Sequence, residues 1–572
     1  MAVPLHRTLD QLAALATIRG DAADAALFSQ ARVLVRSRQI DSDADLGPLL
    51  DAPPADTDPE LILRLSHMYD AGGWVLLESA IADLPADLRW LFESGAVTIE
   101  QLAALHQALG ATSAADLVTA VHRGGVRSVP GFDKTIEAAI ASALPTLRAS
   151  SPRIPLGRAD ALAQPLLSRL RELPGVAWAL PVGSLRRGQD MVGDVEIVAA
   201  APDPSAALED LVHSPDVVRY LHRGPRRLYL LIDRIQVGIR CPAPDVAGAT
   251  LMHLTGATTH LDGLRALAAE RGWSLDPEGL SRGAGTSPLA ASEEEIYAGL
   301  DLPFIPPEIR NGDDEIAAAR GGTLPTLVAR PDIRGDLHTH SLWSDGRDSI
   351  EAMVQTCMSL RYEYLAITDH SPHSSASRNL TTDGVKRQAE EIADLRERYP
   401  QIAILHGCEV DILPDGRLDF GDRVLEAFDI VLASLHTRAN QSREHLLGRY
   451  LEAMRHPLVT LITHPTNRLL PHRPGYDLDY ERLFAAAVET HTVIEIDGAP
   501  SHLDMDGALA RRAVAAGVTV AVNSDAHRAD MLERQMQLGL LTARRGWVEP
   551  RHVLNTKSIG EIRAFIAAKR AR

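Results

Sequence analysis

Between residues 334 and 527, short apolar runs alternate with helix-patterned stretches, and nearly every run ends in an imidazole or a carboxylate. Arg334 to His340 ends in Asp-Leu-His-Thr-His, Tyr364 to His370 in Thr-Asp-His, and Ile402 to Glu409 in His-Gly-Cys-Glu. Ile430 to His436 ends in Ser-Leu-His and Leu458 to His464 in Thr-His. After the ligand-poor run Thr492 to Asp497 comes Val518 to His527, ending in Ser-Asp-Ala-His. Continuous apolar runs of this length suit strands buried on both faces. Seven such strands with intervening helices and chemistry at their carboxyl ends predict a β/α barrel whose active site lies on that face.

Residues i and i+2 of a strand point to the same face, so His338 and His340 can grip one ion, as can Asp525 and His527. Adding Asp345, His370, Glu409, His436 and His464 gives nine N and O ligands. A zinc site needs four and a harder ion about six with water, so two or three metals, with Glu409 bridging, fit better than one. Imidazole and carboxylate without thiolate suit Zn, Mn or Fe and argue against Mg alone. Such a cluster lowers the pKa of bound water and stabilises a leaving oxygen, which is the chemistry of phosphate-ester hydrolysis. His373, Arg438 and Arg468 follow strand ends closely enough to be considered for substrate phosphate, but solvated loop positions explain them equally well.

Asp336-Leu-His-Thr-His-Ser, Ser344-Asp-Gly, Ile367-Thr-Asp-His, Cys408-Glu-Val-Asp, Ser434-Leu-His, Thr463-His-Pro and Ser524-Asp-Ala-His together resemble the PHP (polymerase and histidinol phosphatase) family across residues 332–572. The resemblance implies a distorted seven-stranded barrel and a trinuclear, commonly Mn- or Zn-dependent, phosphoesterase site on the same nine positions. His338, His340, Glu409 and Asp525 are the residues expected to carry catalysis.

A chain of 572 residues is too long for one hydrophobic core. Residues 1–150 read as amphipathic helices, with the acidic stretch 41–60 expected as a solvated loop. Residues 151–320 add strand-like runs (VAWALPVGS, VGDVEIVAA, RLYLLID, RIQVGIR), and Gly- and Pro-rich 321–335 reads as a linker to the barrel at 332–572. The expected fold is therefore multidomain, α followed by α/β followed by the barrel. Three cysteines without ligand spacing, no apolar run long enough for a membrane span and no signal-peptide core point to a reducing, cytoplasmic setting. A net charge of −18 argues against a nucleic-acid partner only if evenly spread. It is not: residues 101–250 hold 16 basic and 14 acidic side chains.

That middle region carries GSLRRGQDMVGDVEIV, residues 183–198, which resembles the nucleotidyltransferase palm of family X DNA polymerases. The amides of a turn at Gly183-Ser184, with Gly193 and Arg187, are expected to cradle a triphosphate, and Asp194 with Glu196 to face one side of a strand for Mg. LTGATTH (254–260), GLRALAAERGWSL (263–275) and EEEIYAGLDLPFIPPEIRNG (294–312) extend the resemblance, and a polymerase X region followed by a PHP domain is the layout of bacterial PolX. Four departures stand out. Glu196 replaces the usual Asp, Gly238 stands where the third acid belongs, Ala257 replaces Ser and Leu261 replaces Asn. Asp233 lies five residues early, on the wrong face of a regular strand. Asp194 and Glu196 are thus expected to be vestigial, Mg at the palm doubtful, and polymerase activity weak or lost. No lysine precedes Lys134, so a Schiff-base lyase is not expected in the N-terminal region. Val129-Pro-Gly-Phe-Asp-Lys-Thr-Ile resembles a helix-hairpin-helix turn, and the Arg pairs 186/187 and 226/227 are further candidates for contacting DNA.

The resemblance implies a monomeric DNA-processing enzyme acting on gapped or recessed 3′ ends, as a metal-dependent 3′–5′ exonuclease or 3′-end phosphodiesterase. A dNTP is a possible second ligand, and a membrane is not an expected partner. An active gap-filling polymerase and a small-molecule phosphatase of the histidinol-phosphate type are the alternatives.

Overall fold

The computed structural model describes residues 4–54, 56–71, 73–150, 153–215, 217, 219–233, 235–283, 287–374, 379–436 and 441–572. Its first part is helical up to about residue 150 because leucines recur at helical spacing: Leu5, Leu9, Leu12, Leu15 and Ile18 all turn into one core. The acidic segment expected as a loop folds instead. A 3₁₀ turn, Asp43–Leu46, runs into the short helix Gly47–Asp51 and buries Leu46 and Leu49, whose apolar side chains outweigh the surrounding aspartates. Helices α1 (Ala114–His122) and α2 (Lys134–Ser150) flank the hairpin-like turn, where Gly131 takes a left-handed φ of 87°. Asp133 Oδ1 accepts the amides of Thr135 and Ile136, so this carboxylate caps the very helix start that would otherwise face a phosphate.

The second region is a five-stranded sheet. Strands β1 (Trp178–Pro181), β2 (Val195–Ala200), β3 (Arg219–Arg223), β4 (Arg227–Ile232) and β5 (Ile235–Arg240) lie in the order β1-β2-β5-β4-β3. The β2 and β5 pair is parallel and sets Glu196 opposite Gly238. Helix α3 (Leu156–Glu172) packs its Leu166, Leu167 and Leu170 on one face. A small helical unit follows around Leu264, Ile296, Tyr297 and Ile305, with Leu261 in its core.

The third region is the barrel. Strands β6 (Gly335–Asp336), β7 (Tyr364–Ile367), β8 (Ala403–Asp411), β9 (Ile430–Ser434), β10 (Val459–Ile462), β11 (Val493–Asp497) and β12 (Val520–Asn523) are parallel and lie in chain order among the described residues. A parallel bridge from Thr339 to Ala526 nearly closes the ring. Side chains alternate: Tyr364, Ala366, Leu432, Leu461, Val493 and Ala521 fill the inside, while Leu365, Ile367, Val431, Ile462 and Val520 face the helices. Each fully buried Leu or Ile contributes about 1.5–3 kcal/mol. Ile562 and Ile566 of the last helix, Ile559–Arg570, join the inner cluster, leaving the carboxyl ends of the strands to polar residues. Gly335 is required at the first strand, since a Cβ there would sit 2.3 Å from the Tyr364 ring.

The Gly- and Pro-rich stretch before the barrel lies on it rather than hanging free. Val328 is buried and pairs its amide with Val548 O at 2.9 Å. Helix α4 (Leu532–Arg545) carries three arginines across to the middle region: Arg534 to Asp160, Arg544 to Glu308 and Arg545 to Asp190. Among the described residues no helix is long and apolar enough to cross a membrane.

Candidate metal centre

The carboxyl ends of the barrel strands bring all nine predicted side chains together. Glu409, buried near the end of β8, sits at the centre. Its Oε2 lies 3.4 Å from His338 Nε2, 3.5 Å from His340 Nε2 and 3.0 Å from His370 Nδ1. Its Oε1 lies 3.4 Å from His436 Nε2 and 2.8 Å from His464 Nε2. Around it, Asp525 Oδ1 stands 3.1 Å from His340 Nε2, and Asp345 Oδ1 stands 3.2 Å from His527 Nε2 and 3.6 Å from His370 Nε2. Three overlapping groups have ligand atoms within 4.8 Å of one another: His340, Asp345, His370 and His527; His338, His340 and Asp525; His370, Glu409 and His436. Glu409 thus stands against five imidazoles, the residue that the sequence reading expects to bridge.

The donor set fits divalent cations. His338 Nε2 and His340 Nε2 face each other at 3.1 Å, two ring nitrogens turned toward one space. His340 Nδ1 and His464 Nδ1 are buried without a hydrogen bond, which is costly unless something else satisfies them. The electrostatics agree. Burial, with His527 and His370 beside it, pushes His340 down to about 4. At His436 burial acts the same way, but Glu409 and Asp411 outweigh it and raise the ring to about 10, as Asp345 and Asp525 raise His527 to about 9. Burial opposes the charge on Glu409 and Asp525 too, yet the neighbouring imidazoles hold both carboxyls well below the ordinary range. The pocket draws positive charge, and ions would displace those protons.

Outer partners fix the rings. Glu495 Oε1 accepts from His338 Nδ1 at 2.8 Å, and Oε2 accepts the His464 amide at 2.9 Å. Asp411 Oδ1 holds His436 Nδ1 at 2.9 Å. These orientations leave the opposite ring nitrogens of His338 and His436 toward Glu409. Sequence reasoning missed both acids. Glu495 lies in the run judged ligand-poor, although a carboxylate inside an apolar strand needs a buried partner. Asp411 is two residues past Glu409 on the same strand face.

The phosphate candidates fare differently. Arg468 is buried and bound to Asp190, and His373 is paired with Asp419, so neither is a free anion donor. Arg438 lies outside the described residues. The Arg pairs proposed for DNA are also engaged internally. Arg186 holds Glu293 at 2.7 Å, Arg187 donates to Thr255 O at 2.6 Å, Arg226 donates to the carbonyls of Ala201, Pro202 and Cys241, and Arg227 holds Asp116 at 2.7 Å.

At the palm, Gly183 opens the short turn of helix Gly183–Arg186 with φ 63°, and Ser184 Oγ accepts the Gly193 amide at 3.3 Å. Gly183, Ser184 and Gly193 thus share one turn, while the Arg187 guanidinium is held by Thr255 O. Glu196 does not face an open site with Asp194: its Oε1 accepts from buried Arg240 at 3.2 Å. A Cβ on Gly238 would lie 2.7 Å from Tyr229 and 3.0 Å from Glu196, so the place of the third acid is filled. Asp233 stands exposed in the β4–β5 turn and binds Arg158 at 2.7 Å, away from that place.

Comparison with known proteins adds two family models. The DNA polymerase beta thumb matches residues 250–311 and the PHP domain matches residues 336–498, so Asp525 and His527 lie beyond the matched stretch. The chain is 34% identical to the DNA polymerase/3′-5′ exonuclease PolX of Bacillus subtilis (strain 168) over 506 residues, 88% of each chain. It is 28% identical to a probable phosphatase of Thermoanaerobacter sp. (strain X514) over 246 residues, 41% of this chain and 95% of that protein. A probable phosphatase of Caldanaerobacter subterraneus subsp. tengcongensis is 30% identical over 34% of this chain and 75% of its own length.

Proposed function

The chain belongs to the bacterial PolX family, and we propose that its working catalyst is the PHP barrel, a metal-dependent 3′–5′ exonuclease or 3′-end phosphodiesterase acting on DNA. The observation that carries this reading is Glu409 set among five imidazoles at the strand ends, flanked by Asp345 and Asp525. Divalent ions held there, Mn or Zn by the N and O donor set, would acidify water and stabilise a leaving oxygen. His338, His340 and Asp525 would hold one part of the ion cluster, His340, Asp345, His370 and His527 another, and His370, Glu409 and His436 a third, with His464 against Glu409. Glu495 and Asp411 keep the rings aimed by accepting their far N–H groups.

The polymerase half would serve mainly to hold DNA, with nucleotidyl transfer weak or lost. Supporting this are the missing acid at Gly238 and the pairing of Glu196 with Arg240. A general base or metal carboxylate removed from such a site typically costs about 10²- to 10⁴-fold in rate. Recessed or gapped 3′ ends are the proposed substrates, and the protein is proposed to work as a cytoplasmic monomer. A second reading, a small-molecule phosphatase, draws on the match of 246 residues of this chain to 95% of a probable phosphatase.

A labelled recessed 3′ primer incubated with Mn, with and without nucleotides, beside a phosphomonoester control, separates these readings. Shortening supports the nuclease, and His340→Ala abolishes it. Lengthening indicates a live polymerase, and phosphate release from the control alone the phosphatase.

A further inference from the structure

Asp190 belongs to the palm turn, two residues past Gly188, yet both of its carboxylate oxygens are taken by the barrel. Oδ2 accepts from Arg468 Nη1 at 2.7 Å and Oδ1 from Arg545 Nη1. Arg468 lies four residues beyond His464, on the loop that leaves β10. It is buried, and its remaining donors fasten two loops of the barrel mouth to each other. Nε donates to His502 O at 2.9 Å, Nη2 donates to Leu503 O, and the Arg468 carbonyl accepts from His502 Nδ1 at 2.9 Å. The His502 ring in turn stacks on His464, with centroids 5.7 Å apart and planes within 24°. Thr466 and Asp504 close the same seam, with Thr466 Oγ1 donating to Asp504 Oδ2 at 2.9 Å. The ring of His464 thus rests on a loop whose anchoring guanidinium is neutralised from outside the barrel, by a residue 278 positions earlier in the chain.

We infer that Asp190 is a positioning residue for the barrel site: the palm supplies the counter-charge that keeps Arg468, His502 and therefore His464 in place. Without it, a buried guanidinium loses its nearest counter-charge and must turn toward solvent or toward Asp506, 3.9 Å from its Nη1, pulling on the His502 carbonyl. The inference rests on reading the barrel as a metal-dependent phosphoesterase. It assigns the degenerate palm a task that needs no nucleotidyl transfer, and it makes the barrel dependent on the first half of the chain. The palm and barrel stay docked by other contacts when Asp190 is altered. Arg534 binds Asp160 at 3.0 Å, Arg544 binds Glu308 at 2.7 Å, and Leu503 and Leu538 lie in the palm core.

The test uses the full chain in six forms: wild type, Asp190→Asn, Asp190→Glu, Arg468→Gln, the double variant Asp190→Asn with Arg468→Gln, and Arg545→Gln as a control that leaves the Arg468 contact intact. Mn(II) titration followed by electron paramagnetic resonance reads the site directly, and turnover of bis(p-nitrophenyl) phosphate reads it without any need to grip DNA. Asp190→Asn is expected to weaken Mn binding and lower kcat, each by about 10- to 100-fold, as loss of an outer partner usually does, with KM unchanged. Arg468→Gln should match it, the double variant should be no worse than either single one, and Asp190→Glu should recover part of the loss. Thermal midpoints should stay within about 3 °C of wild type. Unchanged Mn affinity and kcat in Asp190→Asn, or an equal loss in Arg545→Gln, would overturn the inference. A wild type that binds Mn but cleaves neither diester nor DNA sinks the phosphoesterase reading instead, and the Mn titration of the variants still decides the role of Asp190.

Discussion

Glu196 Oε1 accepts a hydrogen bond from Arg240 Nη2 at 3.2 Å, and the same guanidinium reaches Asp116 Oδ1 at 3.0 Å and Ser113 Oγ at 2.9 Å. Arg240 stands two residues beyond Gly238 on β5, so it occupies the face from which a third carboxylate would project. The palm's acidic cluster has become a junction between the sheet and helix α1. Restoring the missing acid alone should therefore fail. Gly238→Asp is expected to gain no primer extension and to cost about 1–3 kcal/mol through contact with Tyr229 and Glu196. A primer-extension assay beside urea denaturation checks both parts.

Asp116 is the partner of both Arg240 and Arg227. Burial pushes its carboxyl up, but the two guanidiniums and the Thr112 amide outweigh this and hold it far below its ordinary 3.8. Because the folded value is the lower one, the stabilisation is present in full above pH about 4 and is lost as pH falls through the folded value. Asp116→Ala, which leaves Arg240 buried and short of a partner, is expected to cost about 3–5 kcal/mol at neutral pH. That cost should shrink as pH falls below about 4. Denaturation of both proteins across pH 2.5–7, an experimental range of roughly this width, measures the difference.

Glu409→Gln keeps the shape of the central side chain and removes its charge. With five imidazoles losing their shared counter-ion, metal content after dialysis should drop and 3′ shortening should fall by about 10²- to 10⁴-fold. Elemental analysis and a gel assay read the two separately, and retention of both would remove Glu409 from the centre.

Glu495 touches no reacting group in this arrangement but orients His338 through Nδ1 and the His464 loop through its amide. Glu495→Gln can keep the amide contact but accepts less strongly from the imidazole. A loss of about 10- to 100-fold in metal affinity is expected, visible by competition with a chromophoric chelator.

The nine barrel residues were legible in the sequence because each sits at or just past the end of an apolar run, although Asp345 lies in a turn and His464 and Asp525 take left-handed φ, outside any strand alternation. The partners that fix them were less legible. Asp411 carried the same i+2 signal as the histidine pairs and was passed over. Glu495 showed only as one acid in the apolar run Val-Ile-Glu-Ile-Asp, a pattern that says a buried partner exists without saying which. The surface-looking arginines misled for a different reason. Arg186, Arg227 and Arg468 find carboxylates 107, 111 and 278 residues away, and no local pattern encodes pairs of that separation.

By itself the sequence determined the barrel, the face on which its chemistry lies and the nine side chains gathered there, because periodicity and residue type are local properties of the chain. Only the tertiary structure decided that Glu409 stands among all five imidazoles, that Arg240 takes up Glu196, and that Asp190 of the palm is held by the barrel. Those relationships depend on where distant segments meet, and the free energy of burying a charge is settled there, by whichever counter-charge the fold brings within hydrogen-bonding distance.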